Sequence, residues 1–403
     1  MNDNQLKFVI AGHVDHGKSS LIGRLLYDTG SVSKAKIREV EEICQALGKD
    51  FELSFLMDHL TEEREKNITI DTTQTFFKTK ERDYVIIDAP GHKEFLKNMI
   101  TGASLAEAAV LIIDAKEGLK EQTKRHAYML SLLGVKQLIA VINKMDLVDY
   151  SQDRFNELKN ELSQHLNKLG LKPNYFIPIS ARAGDNIAEI SKNMDWYKDL
   201  TVLKALDSFK NKIKFNNLPL RLPVQMVYND LLLGQVESGS ISQDQEVILM
   251  PQNIKAKIME IKKWQADPET AETGDNIGFK LADQALVERG NVICSVETEA
   301  KSRKEFTATI FWMSAKPLKE NQEFELKLTT QLTKAKIKKI HKIMDSSDLE
   351  ILNKKEINET EVAEVKIETE KEIIAENFYF IPELGRFVII KGEDIAGAGT
   401  VSN

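Results

Sequence analysis

Short apolar runs alternate with longer amphipathic stretches through the first half of the chain. The runs are rich in valine and isoleucine and have the length of strands buried on both faces. They occupy residues 8–11, 84–87, 109–113, 138–142 and 176–179. Apolar residues recur with helical spacing in residues 20–27, 92–100, 122–133 and 154–169. This alternation predicts an α/β domain with a mostly parallel sheet and helices on both faces.

The pattern changes after a last predicted helix at residues 201–209. A polar stretch at 210–217 resembles a linker, and the segments beyond it are short, alternating and separated by turn residues. Predicted strands cover residues 221–228, 234–238, 245–250, 256–261, 306–311, 323–328, 335–343, 361–367 and 386–390. We therefore predict three domains, an α/β domain at 1–210 and all-β barrels at 211–300 and 301–403.

Length, charge and cysteine content narrow the class of protein. The 403 residues are enough for two or three domains, and a net charge of -7 argues against a protein that coats nucleic acid, so no DNA partner is expected. The two cysteines, Cys44 and Cys294, are too far apart in sequence to suggest a zinc module or a disulfide framework. No apolar run approaches the roughly 18–20 residues of a membrane span, and no signal peptide is visible. We expect a cytoplasmic protein without a membrane partner.

A phosphate-binding motif follows the first predicted strand and precedes the first predicted helix. It has the pattern GxxxxGK[ST] and comprises Gly12, His13, Val14, Asp15, His16, Gly17, Lys18 and Ser19. Backbone N–H groups of such a loop surround phosphate oxygens, the lysine adds positive charge, and the serine hydroxyl binds Mg²⁺. We expect Ser20 to line the same site. An alternative metal site at His13, Asp15 and His16 is the poorer interpretation, because no further ligand cluster is nearby.

A second strand end carries the segment DAPGH at residues 88–92. Asp88 is placed to hold Mg²⁺ through water, Gly91 lets a backbone N–H approach the γ-phosphate, and His92 lies next to the attacking water. Upstream, Thr69 could supply another hydroxyl ligand to Mg²⁺. Spacing alone does not distinguish Thr69 from Thr61, Thr72 or Thr73. We expect His92, Lys18 and Asp15 to be the catalytic residues.

Two further strand ends carry residues suited to reading a purine base. They are Asn143, Lys144 and Asp146 in NKMD, and Ser180, Ala181 and Arg182 in SAR. The Asp146 carboxylate can accept from the ring N–H and exocyclic amine of guanine, a pair that adenine lacks. The stem of Lys144 can lie along the base, and the Ala181 N–H can donate to the guanine carbonyl. The order of these motifs predicts a GTPase that binds GTP or GDP with Mg²⁺.

The segments GHVDHGKSS, DAPGH, NKMD and SAR resemble those of the translational GTPase family over residues 7–210. This resemblance implies a GTP-hydrolysing domain followed by two β-barrels, with Thr69 and Gly91 in the nucleotide-sensing switches and His92 orienting water. Within the family, phrases such as RLPVQMVY, IFWMSAKPL and GRFVIIKGEDIAGAGTV most resemble the GTPase subunits of bacterial sulfate adenylyltransferase. That likeness implies that GTP hydrolysis favours formation of adenosine 5′-phosphosulfate from ATP and sulfate, on a smaller adenylyl-transferring partner subunit.

Two other functions stay open on the sequence. The same hydrolytic core serves elongation factors that carry aminoacyl-tRNA to the ribosome, and it also serves regulatory GTPases that bind other proteins. A basic stretch comprising Lys334, Lys336, Lys338, Lys339 and Lys342 is the strongest argument for an RNA partner. We favour a solvated strand instead, because the acidic stretch at 353–376 is expected to lie nearby. The tryptophans Trp196, Trp264 and Trp312 are expected to pack in the core rather than stack on bases.

Overall fold

The computed structural model describes residues 5–46, 48, 53, 74–87, 106–210, 216–263, 266–282, 287–298 and 300–402. The chain divides into two compact units, Met1–Lys212 and Ile213–Asn403.

The first unit is built on a six-stranded sheet with the order β2-β3-β1-β4-β5-β6. Its strands are β1 Gln5–Gly12, β2 Gln74–Lys78, β3 Asp83–Ile87, β4 Ala108–Asp114, β5 Gln137–Asn143 and β6 Tyr175–Pro178. All neighbours pair in parallel except β2 and β3, which are antiparallel. The centre of the sheet is fully covered, since every residue of β4 is buried. Buried runs on β1, β3, β4 and β5 explain why the sequence pattern located them.

The helices of this unit are α1 Lys18–Asp28, α2 Lys34–Ala46, α3 Glu121–Leu132, α4 Gln152–Lys168 and α5 Val202–Asp207, with a short 3₁₀ helix at Met145–Val148. Helix α4 buries Phe155, Leu158, Leu162 and Leu166 along one stripe, and the Ser151 hydroxyl caps its start by accepting from the Arg154 N–H. The predicted α/β fold class is confirmed. The predicted helix at 92–100 lies outside the described residues.

The second unit contains the remaining strands, which are antiparallel wherever they pair. They are β7 Arg221–Tyr228, β8 Leu231–Gln235, β9 Ser240–Ser242, β10 Glu246–Met250, β11 Ile254–Lys262, β12 Thr270–Glu272, β13 Asn276–Leu281, β14 Val292–Ser295, β15 Ser302–Trp312, β16 Leu318–Lys319, β17 Glu323–Leu328, β18 Gln331–Asp345, β19 Ile351–Leu352, β20 Glu356–Ile357, β21 Glu361–Ile374, β22 Arg386–Lys391 and β23 Asp394–Val401. A short 3₁₀ helix at Pro382–Leu384 precedes β22.

Two barrel-like sheets contain most of these strands, while β9 pairs with β12 and β16 with β20 in separate two-stranded sheets. Six form a closed barrel in the order β10-β11-β13-β8-β7-β14. A seven-stranded sheet follows the order β17-β22-β23-β15-β21-β18-β19, and because β17 also pairs with β18 it closes on itself. The division at residue 300 into two barrel domains stays a prediction. The predicted strand at 234–238 is displaced, because β8 ends at Gln235 and Ser238 instead forms an isolated bridge with Arg221.

The closed barrel and the seven-stranded sheet of the second unit share a hydrophobic core. Ile248 and Met250 of β10 belong to the same buried cluster as Phe306, Trp312 and Phe387. The buried Arg221 side chain of β7 also forms an ion pair with Glu376, with 2.8 Å between Nη2 and the carboxylate. The structure therefore joins the first barrel to the second sheet by both apolar and ionic contacts.

The described residues include both cysteines and several helices that bear on the predicted class of protein. Cys44 and Cys294 are both buried, and neither is part of a disulfide. Among the described helices, none combines the length and apolar character needed to cross a membrane.

Candidate nucleotide-binding site

The predicted phosphate loop connects the end of β1 with the start of α1, as the motif requires. Gly17 precedes the helix with a φ of 91°, and a Cβ atom there would lie 2.4 Å from Nδ2 of Asn143. Gly12 begins the loop, and a Cβ atom at this position would lie 2.4 Å from the carbonyl oxygen of Ile112. Both positions require glycine because a side chain would collide with the neighbouring strands.

Lys18 folds back over the loop that precedes it. Its Nζ donates to the carbonyl oxygens of Gly12 and His13 at 2.9 and 2.8 Å. The ammonium therefore sits at the concave side of the loop, close to the exposed Ser19 at the start of α1. Asp15 and Val14 are exposed and Ser20 is half-buried. This cradle suits a phosphate group, because it combines a fixed cation with a helix N-terminus.

The two histidines of the loop face carbonyl groups. His13 Nδ1 lies 2.5 Å from the oxygen of Val14, and the fully buried His16 places Nδ1 3.5 Å from the oxygen of Ile112. Burial lowers the pKa of His16 to about 4, and the nearby His13 contributes in the same direction. Within the described residues no group of three His, Cys, Asp or Glu side chains could hold a metal ion. The alternative metal site at His13, Asp15 and His16 therefore has no support in the described geometry.

Helix α3 holds the phosphate loop from the side. The backbone N–H of Gly12 donates to Nδ1 of His126 at 3.2 Å, and the N–H of Val14 donates to Oε1 of Gln122 at 3.2 Å. Sequence reasoning missed both side chains because they lie inside a helix rather than at a strand end. Their spacing of four residues, which puts them on one helix face, was the available signal.

Asn143 links the phosphate loop to the SAR loop. Its Nδ2 donates to the carbonyl oxygen of His16 at 2.9 Å, and its Oδ1 accepts from the Ala181 N–H at 2.9 Å. The sequence had suggested that this N–H donates to guanine, whereas in the structure it is bound to Asn143. Ser180 is buried and its hydroxyl accepts from the N–H of Ala183. Asn143 therefore has a scaffolding position between two predicted ligand-binding loops.

Lys144 is held in a left-handed conformation by a buried carboxylate. Its φ is 63°, and its Nζ lies 2.7 Å from Oδ2 of Asp114, which is 1% exposed. Burial alone would raise the pKa of Asp114, but the Lys144 ammonium and the N–H groups of Glu117 and Lys116 outweigh it and hold that pKa below its usual value. The ion pair fixes the Lys144 stem beside the next residues of NKMD.

A cavity of about 530 Å³ opens between α1 and the two predicted base-reading loops. Its lining comprises Gly17, Ser20, Arg24, Tyr27, Leu53, Asn143, Lys144, Asp146, Leu147, Ala181 and Arg182. Arg24 contributes to the wall, where its Nη1 lies 3.5 Å from the carbonyl oxygen of Arg182. This volume is typical of small-molecule sites, and the half-buried Asp146 provides a carboxylate in its wall. The cavity and the adjoining phosphate loop together fit a purine nucleotide.

Four of the predicted site residues, Thr69, Asp88, Gly91 and His92, lie outside the described residues. Ser19 is thus the one predicted Mg²⁺ ligand that the described residues include. Its exposed hydroxyl beside the phosphate loop is a hard oxygen donor of the type that Mg²⁺ prefers.

Comparison with known proteins places this architecture in a family. Residues 3–212 match the family model described as "Elongation factor Tu GTP binding domain", and residues 305–402 match "GTP-eEF1A C-terminal domain-like". Elongation factor 1-alpha of Thermoplasma acidophilum is 38% identical over 399 residues, which cover 95% of this chain and 94% of that protein. Elongation factor 1-alpha of Methanocaldococcus jannaschii is 38% identical over 402 residues, with the same two coverages. The crystal structure of sup35 complexed with GMPPNP is 24% identical, with a TM-score of 0.45, over 99% of this chain and 94% of that chain.

These relatives correct one expectation from the sequence. The assignment to the GTPase subunit of sulfate adenylyltransferase is wrong, because these two relatives, which cover 95% of this chain, are named Elongation factor 1-alpha. The expected smaller adenylyl-transferring partner, and the adenylyltransferase activity attributed to the pair, are wrong for the same reason. The chain belongs to the translational GTPase superfamily, and its elongation factor Tu-type domain binds GTP and GDP with Mg²⁺.

Proposed function

We propose that this protein is a cytoplasmic elongation factor that hydrolyses GTP and, in its GTP-bound form, delivers aminoacyl-tRNA to the ribosome. The observation that carries the proposal is the similarity to two proteins named Elongation factor 1-alpha over 95% of this chain and 94% of theirs. The likeness extends through both units of the chain, so it is not limited to the GTP-binding motifs that many GTPases share.

In this proposal the described residues bind the nucleotide at both of its ends. Asp146 accepts from the two guanine donors, Lys144 lies along the base, and Lys18 neutralises phosphate charge. Ser19 would hold the metal ion together with Thr69 and Asp88, which lie outside the described residues; when bound, the ion neutralises charge on the phosphate oxygens. Because Nζ of Lys18 already donates to two carbonyl oxygens, nucleotide binding exchanges or extends these hydrogen bonds rather than ordering a free side chain.

The basic strand β18 has no part in this proposal. Lys338 is paired with Glu305, and the Nζ of Lys336 lies 3.6 Å from the carboxylate of Glu368. Strand β21, which belongs to the acidic stretch, pairs with β18 along most of its length. As the sequence suggested, acidic neighbours thus reduce the positive field that an RNA backbone would meet.

A deacylation assay tests the proposed function. The full chain is mixed with aminoacyl-tRNA and either a non-hydrolysable GTP analogue or GDP, and hydrolysis of the ester bond is followed. Bound protein should protect the ester bond from hydrolysis. We expect the affinity of the protein for aminoacyl-tRNA to be roughly 100-fold higher with the GTP analogue than with GDP, within the usual range of coupling between two ligands. Asp146→Asn is the control, since it should lose protection with the guanine analogue and regain it with the xanthine analogue. Equal deacylation in both nucleotide states would contradict the proposal.

A second prediction concerns hydrolysis. Replacing His92 with alanine removes the group expected to orient the attacking water, while the phosphate loop and the base site stay intact. We expect GDP affinity to be unchanged and single-turnover GTP hydrolysis to slow by about 100-fold or more. Unchanged hydrolysis in this variant would remove His92 from the mechanism.

A further inference from the structure

The turn that carries Asp146 has an unusual backbone. Strand β5 ends at Asn143, and the turn then runs through the 3₁₀ helix to the start of α4. Lys144, Asp149 and Tyr150 all have positive φ, at 63°, 52° and 55°. Residues with a side chain populate this region rarely, so the shape of this turn depends on contacts from outside it.

Two hydrogen bonds from outside the turn, and one within it, hold this shape. The Met145 N–H donates to the carbonyl oxygen of Ile179 at 3.1 Å, and the Tyr150 N–H donates to the carbonyl oxygen of Met145 at 2.8 Å. The Tyr150 carbonyl in turn accepts from Nε1 of Trp196 at 3.0 Å. The second bond closes a loop of chain around Asp146, and the third ties the end of that loop to a distant segment.

The segment that carries Trp196 is itself firmly anchored. Asn186 is fully buried and its Nδ2 donates to the carbonyl oxygen of Pro178 at 2.8 Å, at the end of β6. The Trp196 ring packs 5.3 Å from the ring of Phe155 on α4, and the adjacent Tyr197 is buried. The indole N–H is therefore a fixed donor, because both its backbone and its ring are held.

We propose that Trp196 is a positioning residue for guanine recognition, whose indole N–H fixes the Tyr150 carbonyl and so holds the turn that presents Asp146 to the 2-amino group of guanine. The inference rests on the proposed assignment of Asp146 to the base. It also gives this tryptophan a role beyond the core packing that the sequence suggested. Asp146 and Leu147 of this turn line the cavity, so a shift of the turn changes the cavity wall directly.

The Tyr150 side chain provides a further contact between the Asp146 turn and its surroundings. Its ring is partly buried, and the carboxylates of Asp185 and Asp146 both act on its hydroxyl, so burial and then these charges raise the pKa of Tyr150. The Asp185 carboxylate is held by Ser191 and by Nδ2 of Asn193, the latter at 3.2 Å. The Tyr150 side chain thus links the Asp146 turn to the loop that follows SAR.

The test compares GDP with inosine diphosphate, which lacks the 2-amino group. Trp196→Phe keeps an aromatic ring, although a smaller one, and removes the N–H donor. We expect it to lower GDP affinity about 10-fold, the effect of one lost hydrogen bond, and to lower inosine diphosphate affinity less, because inosine offers Asp146 only the ring N–H. Affinities are measured on the full chain by titration calorimetry. An equal loss for both nucleotides, or no loss for either, would overturn the inference.

Two reference variants accompany this test, and the first separates the inference from the proposed base assignment. Asp146→Ala should abolish the preference for GDP; if the preference persists, the base assignment fails and the positioning role fails with it. If Asp146→Ala abolishes the preference and Trp196→Phe does not change it, only the positioning role fails. Trp312→Phe is the matched control, because it removes a similar indole bond, to the Lys316 carbonyl at 2.9 Å, in the second unit. It should keep the wild-type preference, and a loss would overturn the inference.

Discussion

At the scale of single residues, Asn143 is the side chain that joins the two ends of the nucleotide site. Replacing it with alanine removes its bonds to the His16 carbonyl and the Ala181 N–H, both in buried surroundings. Since each bond contributes about 1 kcal/mol and leaves a group unpaired when lost, we expect GDP affinity to fall by roughly 10- to 100-fold. Titration of GDP measures the effect.

A matched control exists in the same unit. Asn174 accepts from the Leu138 N–H through Oδ1 at 2.9 Å, at the start of β5 and away from the cavity. Asn174→Ala should destabilise this unit without changing GDP affinity. Equal GDP affinities in wild type and Asn143→Ala would show that the two loops are held by other contacts.

His16 should make the first unit sensitive to acid. Burial lowers its pKa from 6.5 to about 4, while the Ile112 carbonyl and the charges of Asp114 and Glu117 act in the opposite direction. Between these two pH values the unfolded chain binds a proton that the folded chain excludes, so stability falls as the pH falls. Above pH 6.5 the group contributes no pH dependence.

The comparison variant is His16→Gln, which cannot titrate. Between pH 6.5 and 4, the wild type should lose about 1.4 kcal/mol per pH unit relative to this variant. Hydrogen exchange of the β1 and α1 amides reports the local free energy of opening in this unit. Parallel pH profiles for the two proteins would contradict a depressed pKa.

At the scale of elements, helix α5 is too short to be stable alone and depends on its contacts with the sheet. Asp207 at its end accepts from the hydroxyls of Tyr84 and Thr79, and Arg82 donates to the carbonyl oxygen of Phe209 at 2.7 Å. Tyr84 is fully buried, and burial followed by its bond to Asp207 raises its pKa. These bonds dock the end of the first unit on strand β3.

Tyr84→Phe should therefore destabilise the first unit by about 1–2 kcal/mol, because it removes a buried bond to a charged group. Tyr175→Phe is the control, since its hydroxyl pairs with Ser208 at 3.0 Å in an exposed position and should contribute less than about 0.5 kcal/mol. Urea denaturation of the full chain, followed through amides of β3, measures both. The prediction fails if the two substitutions have the same effect.

The elements differ in how well the sequence predicted them, and burial explains the difference. Continuous apolar runs located β1, β3, β4 and β5. Helix α2 was missed because only Val40 and Cys44 are buried on it, which leaves too narrow an apolar stripe for a helical pattern. Edge strand β2 was missed because it has five residues and a mixed exposure pattern.

The residues of the candidate site also differ in how well the sequence predicted them. The phosphate loop and NKMD were predictable because ligands meet open α/β sheets at the carboxyl ends of strands. Gln122, His126 and Trp196 were not assigned to the site, because their roles depend on contacts between segments distant in sequence. Resemblance in the β-sheets also led to the wrong member of the family, since the motifs in the first unit are shared with elongation factors and could not decide between the two.

At the scale of the whole molecule, the ion pair Arg221–Glu376 joins the first barrel to the segment that follows β21, with little exposure to solvent. Their side chains are 3% and 13% exposed, and Arg221 also donates to the carbonyl oxygen of Thr298 at 3.0 Å. Arg221→Met leaves the Glu376 charge buried without its partner. We expect a loss of about 3–5 kcal/mol in the unfolding free energy of the second unit.

Two controls accompany this substitution. Arg221→Met combined with Glu376→Leu removes both charges and should recover most of the stability. Lys319→Met breaks a solvent-exposed pair with Glu356 and should change stability by less than about 0.5 kcal/mol. Guanidinium denaturation of the full chain measures all three variants. If the double variant unfolds as readily as Arg221→Met, side-chain packing rather than charge pairing stabilises this contact.

The shared core of the second unit also bears on its synthesis. Ile248 lies in the same buried cluster as Val401, so the cluster draws on residues more than 150 positions apart. A chain emerging from a ribosome in order cannot complete this core until its last strand has been made. The first barrel must therefore leave part of its apolar surface uncovered during translation. A chain truncated within the last strand should keep this surface exposed and bind chaperones rather than fold into a shorter, stable protein.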